Sequence, residues 1–226
     1  MSDREGPMPE LQLEAALDAL ADGARQTGGP WQDDWRPGLR KLAELLAEFN
    51  ARTNLVGDAS PRGLAEHLAE AWAVAAATEA ALGRAPETIV DVGAGAGLES
   101  IALALAFPHA RVVAVEPRPL RSSFIALAAQ AAGVGHLQVI GKSLHGAQLS
   151  AEFELATARA VWPPHEWVPR ARDLVTPDGV VAVHGNEQLV DRLAAHGWRT
   201  EAQRVVPGSR GHVVALVRPQ VRARQR

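Results

Sequence analysis

The stretch Ile89-Val90-Asp91-Val92-Gly93-Ala94-Gly95-Ala96-Gly97-Leu98 constrains this chain more than any other. Branched apolar residues surround one acid, and three glycines follow at alternate positions. Leu98 to Phe107 is then a helix-forming run. The pattern predicts a strand, a tight turn and a helix start. Glycine permits positive φ and lets a ligand approach the backbone closely. The first turn of a helix offers unpaired N–H groups and the positive end of the dipole. Such a turn is built to hold a small polar or anionic ligand.

The texture on either side of the turn sets the fold class. From Thr88 onward, short β-rich runs alternate with helical segments. Strands are expected at Thr88–Val92, Arg111–Val115, Leu137–Ile140, Phe153–Thr157 and Gly179–Val183. Helices are expected at Leu98–Ala106, Leu120–Ala132, His165–Leu174 and Gln188–His196. Two further strands, Thr200–Val206 and His212–Arg218, flank the hairpin turn Gly208-Ser209-Arg210-Gly211. Alternating apolar strands and helices imply an α/β chain with a parallel sheet covered on both faces. The hairpin makes the last strand antiparallel.

Before Thr88 the chain reads as helical. Leucines at helical spacing mark residues 9–27, and Leu39, Leu42, Leu45, Leu46 and Phe49 share a face of a helix from Pro37 to Ala51. Ser60-Pro61 is an N-cap followed by proline at the first helical position. It opens an alanine-rich helix to Leu82, which Gly83-Arg84-Ala85-Pro86 closes. The expected organisation is a helical extension over residues 1–85, an α/β domain over 86–219 and a basic tail over 220–226.

Composition removes several classes of chemistry. The chain has no cysteine, which excludes disulfides, thiolate metal sites and cysteine nucleophiles. No His/Asp/Glu cluster has metal-ligand spacing, so no metal is expected. No apolar run reaches about 18 residues, and MSDREGPMPE has no apolar signal segment, so a cytoplasmic protein with no membrane partner is expected. The net charge of −3 makes no global case for nucleic acid, so any such contact needs a local basic patch.

Two ligand classes suit a glycine turn after the first strand of such a sheet. The dinucleotide fingerprint G-x-G-x-x-G fails, because Leu98 and Ser100 stand where its last glycine is required. The observed D-x-G-x-G-x-G resembles the first motif of S-adenosylmethionine-dependent methyltransferases. Glu116 ends the second strand about 20 residues after the glycines, the place for an acid that accepts ribose hydroxyls. The implied fold is the Rossmann-like S-adenosylmethionine methyltransferase fold, a mostly parallel seven-stranded sheet with an antiparallel last strand and an N-terminal helical extension.

Longer motifs resemble one family. Phe49-Asn50-Ala51-Arg52-Thr53-Asn54-Leu55, His67, Asp91 to Leu98, Arg121 with Phe124, Arg159-Ala160-Val161 and Gly211-His212-Val213-Val214 occur in the order found in the RsmG (GidB) methyltransferases. Members of that family methylate N7 of a guanosine in bacterial 16S rRNA. Glu99-Ser100 stand where the family has P-G, and Glu70-Ala71 where it has D-S. Leu120, Lys142, Leu144 and His184 replace a lysine, an arginine, an acid and a lysine.

The resemblance implies S-adenosylmethionine as cofactor, with Asp91, Gly93, Gly95, Gly97, Leu98, Glu116, Ser143, Leu144 and Arg159 around it. Its implied partner is 16S rRNA or the small ribosomal subunit, met by a monomeric enzyme. N7 carries a lone pair and no proton, so alignment and electrostatics should dominate over acid–base work. Arg159 and His184 are the expected catalytic residues. Arg121, Lys142 and Arg210 are the expected substrate contacts, with Arg118 and the C-terminal arginines on the same rim. Trp162-Pro163-Pro164-His165 differs from the N-P-P-Y motif of amino-group methyltransferases and reads as proline opening a helix. The alternatives are a related methyltransferase with another substrate and a non-catalytic binding module.

Overall fold

β1, Thr88–Val92, lies at the centre of the molecule because its last four residues are buried and both of its edges are paired. It runs parallel to β2 (Arg111–Val115) on one side and to β4 (Phe153–Thr157) on the other. The structure, a computed structural model, describes residues 10–219. The remaining strands are β3 (Gln138–Ile140), β5 (Val175–Asn186), β6 (Thr200–Val205) and β7 (His212–Val217). They form one seven-stranded sheet in the order β3-β2-β1-β4-β5-β7-β6. The last strand inserts between β5 and β6, antiparallel to both. This is the sheet expected from the sequence. Its order reverses at β1, so a crevice opens above the carboxyl ends of β1 and β4, where sheets of this kind take ligands.

The helices are α1 (Glu10–Thr27), α2 (Arg36–Thr53), α3 (Pro61–Leu82), α4 (Leu98–Ala106), α5 (Pro119–Ala131), α6 (Leu144–Ala147), α7 (Pro164–Ala171) and α8 (Leu189–Ala195). Ser60 caps α3 by accepting the Gly63 N–H, and Gly83 ends it with φ of 73°. Pro164 opens α7, as the proline pair predicts. Two short elements lie outside the sequence expectation: a 3-10 turn at Asp33–Trp35 and α6, which Ser143 caps through Gly146 N–H. β5 begins earlier than expected. The expected strand starts at Gly179, yet Pro177-Asp178-Gly179 is carried within β5 across a register shift against β4. A Cβ at Gly179 would stand 2.9 Å from the Phe153 carbonyl oxygen, which accounts for the glycine.

The first three helices share an apolar core with the sheet. Leu17, Leu39 and Leu68 belong to the same buried cluster as Leu103, Val112 and Leu216. α3 is the link, since it packs on α1, on α4 and on β6 and β7. Trp31, Trp35 and Trp72 meet at centroid separations of 5.5–6.2 Å where α1–α3 come together. The other face of the sheet is covered by α7 and α8, through Trp167, Val168, Leu189 and Leu193. No helix among the described residues is long and apolar enough to cross a membrane. The arginines of residues 220–226 lie outside the described part.

Candidate active site

All three glycines of the turn have positive φ: 73° at Gly93, 62° at Gly95 and 73° at Gly97. Their spatial reasons are of two kinds. A Cβ on Gly93 would sit 2.5 Å from Val161, and one on Gly97 would sit 2.7 Å from Ile125. A Cβ on Gly95 would meet nothing nearer than the Arg121 guanidinium at 3.8 Å. Gly93 and Gly97 therefore serve close packing, while Gly95 leaves its space to the crevice. The turn is pinned from β2: Gly93 and Ala94 donate their N–H groups to the Val115 carbonyl at 2.7 and 3.1 Å. Glu116 completes the hold. Its Oε2 accepts the Gly95 N–H at 2.9 Å and its Oε1 the Arg118 N–H at 3.0 Å.

Above this turn is a cleft of about 900 Å³. Gly93, Gly95 and Leu98 line one wall, Glu116, Arg118 and Arg121 the rim near β2, and Ser143 and Leu144 the segment after β3. Asp91, Arg159 and His184 line it too. Gly97, Lys142 and Arg210 lie outside its lining, so the structure gathers most of the expected residues and leaves these three apart.

The floor carries a linked set of charged groups. Glu99, in the first turn of α4, is buried and accepts a hydrogen bond from the Thr157 hydroxyl at 2.5 Å. His184 Nε2 is 3.4 Å from Glu99 Oε1, and Arg159 Nε is 4.0 Å from Glu99 Oε2. Arg159 Nη1 also donates to Glu70 Oε2 at 2.5 Å. Glu70, from α3, holds His212 at the start of β7 through Nδ1 at 2.5 Å. Asp91 accepts from the Ser100 hydroxyl at 2.5 Å. Both nitrogens of His184 and Oε2 of Glu99 are sealed from solvent and lack a partner in hydrogen-bond geometry.

These contacts fix the charge states. Burial, and then the Glu99 charge, push the Asp91 carboxyl up to about 7. Burial works against ionised Glu99, but the adjacent His184 charge, with Arg159 and the Thr157 hydroxyl, outweighs it and takes Glu99 to about 2. Burial likewise opposes a charged His184, and the Glu99 carboxylate overcomes it and raises the imidazole. His67, on the cleft wall from α3, is lowered by burial and by Arg159.

Glu70, Glu99, His67 and His212 were not among the residues expected to act, although each stands in a motif. Glu99, Ser100, Glu70 and His184 had appeared as four separate departures from the family pattern. In the fold they are partners: Glu99 with His184, Ser100 with Asp91, and Glu70 with Arg159. Proximity across the sheet cannot be read from their spacing along the chain.

Comparison with known proteins agrees with this architecture. The family model for GidB, rRNA small subunit methyltransferase G, matches residues 36–214. The ribosomal RNA small subunit methyltransferase G of Myxococcus xanthus is 31% identical over 183 residues, covering 79% of this chain and 82% of that protein. Its counterpart in Burkholderia thailandensis is 30% identical over 183 residues, covering 79% and 78%. Among solved structures, an O-methyltransferase from Bacillus cereus in complex with SAH shares the fold, with a TM-score of 0.53 at 16% identity over 79% of this chain and 90% of that one. By sequence over most of its length, the chain belongs to the GidB family, rRNA small subunit methyltransferase G.

Proposed function

We propose that this protein transfers a methyl group from S-adenosylmethionine to N7 of a guanosine in 16S rRNA of the small ribosomal subunit. The observation that carries the reading is the Gly95–Glu116 hydrogen bond at the sheet's switch point, in a chain of the GidB family. The cleft residues fit the cofactor. Gly95 leaves open the space a side chain would fill. Each Glu116 oxygen spends one contact on a backbone N–H and keeps acceptor capacity for the ribose hydroxyls. Ser143 and Leu144 border the same end and suit the adenine. Glu70 and Glu99 against Arg159 and His184 leave the floor without excess positive charge, which suits a cationic cofactor.

When bound, the cofactor supplies an electrophilic methyl carbon on a sulfonium. The chain's part is to align the guanine N7 with it, since N7 needs no deprotonation. Arg159, clamped between Glu70 and Glu99, is the rigid cation at the centre of the floor, with His184 behind Glu99. Arg118 and Arg121 stand on the rim, where phosphate contacts position a nucleic acid without reading its sequence. Lys142 and Arg210 would serve an RNA that extends past the cleft. The protein is proposed to act as a monomer in the cytoplasm.

The test is labelled methyl transfer to 30S particles or 16S rRNA lacking the modification, followed by nucleoside analysis. Label in 7-methylguanosine is expected. Tight cofactor binding by calorimetry without any such label would overturn the rRNA reading while leaving the cofactor site in place.

A further inference from the structure

The Glu70–His212 pair is a feature that methyl transfer to N7 does not use. Glu70 is largely buried and its Oε1 stands 2.5 Å from His212 Nδ1, while the His212 side chain is 43% exposed. His212 lines the cleft, and its Nε2 has no partner among the described residues, nor is it sealed from solvent. A carboxylate that takes Nδ1–H fixes both the orientation of the ring and its tautomer. With the proton on Nδ1, Nε2 carries a lone pair and is an acceptor on a ring that lines the cleft.

The position of this acceptor says what it meets. Glu116 ends β2, and His212 begins β7, which lies four strand positions away in the sheet. At about 4.8 Å per strand the two are separated by roughly 19 Å along the cleft. A nucleoside cofactor held at Glu116 and the glycine turn covers the β2–β1–β4 end. His212 stands at the opposite end, over β5 and β7, which is left to the substrate. The groups around the dyad are Glu70 and His67 from α3, Arg159 after β4, and His184 and Asn186 on β5, the last paired in register with His212.

We infer that His212, oriented by Glu70, is a specificity-determining residue that accepts a hydrogen bond from the N1–H and 2-amino edge of the target guanine. This inference rests on the guanosine reading above. The logic is one of sign. With N7 turned to the methyl group, the Watson–Crick edge faces away from it, and in guanine that edge is a donor. Adenine offers a lone pair at its own N1, which the Nε2 lone pair opposes. Single-stranded bases are commonly read on this edge.

The experiment compares two 16S rRNA fragments, one with guanosine and one with adenosine at the mapped target position, by filter binding with S-adenosylhomocysteine present. The wild type is expected to bind the guanosine fragment about tenfold more tightly, the size of one hydrogen bond made against one refused. His212→Ala should bring the two within about twofold, with S-adenosylmethionine affinity by calorimetry within about threefold of wild type. His212→Asn, whose amide oxygen can accept, should recover part of the preference, and Glu70→Leu, which frees the ring, should narrow it. An undiminished preference in His212→Ala overturns the inference, with guanosine methylation by the wild type intact. A wild type that methylates neither fragment removes the guanosine reading and this inference together.

Discussion

Glu116 Oε2 accepts the backbone N–H of Gly95 at 2.9 Å, so the acid that ends β2 fixes the middle of the turn that ends β1. The same carboxylate holds the Arg118 N–H. One side chain thus shapes the turn and faces the cleft. Replacing it with alanine removes two backbone partners as well as the ribose acceptor. Glu116→Ala is expected to weaken S-adenosylmethionine binding by more than about tenfold and to lower stability by about 1–3 kcal/mol. Calorimetry and urea denaturation check both. Glu116→Gln, which keeps one acceptor oxygen, should fall between the two proteins in both measurements.

Gly95 separates ligand space from packing space. Its Cβ position is open, whereas those of Gly93 and Gly97 lie against Val161 and Ile125. Gly95→Val is expected to abolish cofactor binding while leaving a cooperative unfolding transition. Its φ of 62° adds a backbone cost of about 1–2 kcal/mol. Affinity equal to wild type would place the ligand elsewhere.

The Glu99–His184 pair makes a pH prediction whose sign can be worked out. His184 is raised in the folded state, so its contribution to stability is complete below the unfolded value of 6.5 and is lost as pH rises through the folded value. In Glu99→Gln the burial remains and the opposing charge is gone. The folded value should then fall beneath 6.5, and the trend reverses: stability rises with pH up to about that point and is flat above it. Urea midpoints measured from pH 5 to pH 9 on both proteins distinguish the two slopes. Parallel curves would show that the pair does not set the dependence.

Arg159 neutralises two carboxylates at once, Glu70 at 2.5 Å and Glu99 at 4.0 Å. Arg159→Leu leaves both without it, and removing one partner of a buried ion pair costs about 3–5 kcal/mol. The expected loss at neutral pH lies at the lower end of that range, because Glu99 keeps His184 and Thr157 and Glu70 keeps His212. Arg159→Lys should recover part of the stability but not the two-sided clamp, since an ammonium lacks the planar fork. Denaturation midpoints and methyl-transfer rates on the same preparations test this.

The helical prefix, the strand alternation and the glycine turn were legible because each rests on local rules: apolar period, cap residues, and positive φ at glycine. Ser60 shows how local such a rule is, since its cap on Gly63 needs no other part of the fold. β5 was misjudged at its start because Pro177-Asp178-Gly179 has turn chemistry, and it lies within the strand as an irregularity between the pairings of Val175 with Phe153 and Val180 with Leu155. The floor of the cleft was the least legible part. Glu70 and Arg159 meet across 89 positions and Glu99 and Thr157 across 58, and no spacing rule joins residues so far apart. Single departures from a motif carried information there, but only the fold reveals that two of them, Glu99 and His184, meet.

α3 has a consequence for how the chain is made. Its apolar face, with Leu64, Leu68 and Trp72 buried, rests on β6 and β7, the last strands to be synthesised. Domains form as their segments leave the ribosome, from the N-terminus onward. Here the part of α3 that rests on β6 and β7 stays open until the final hairpin is made, although α1 and α4 cover the rest of the helix earlier. A chain that stops short of β7 leaves that part of α3 without its cover.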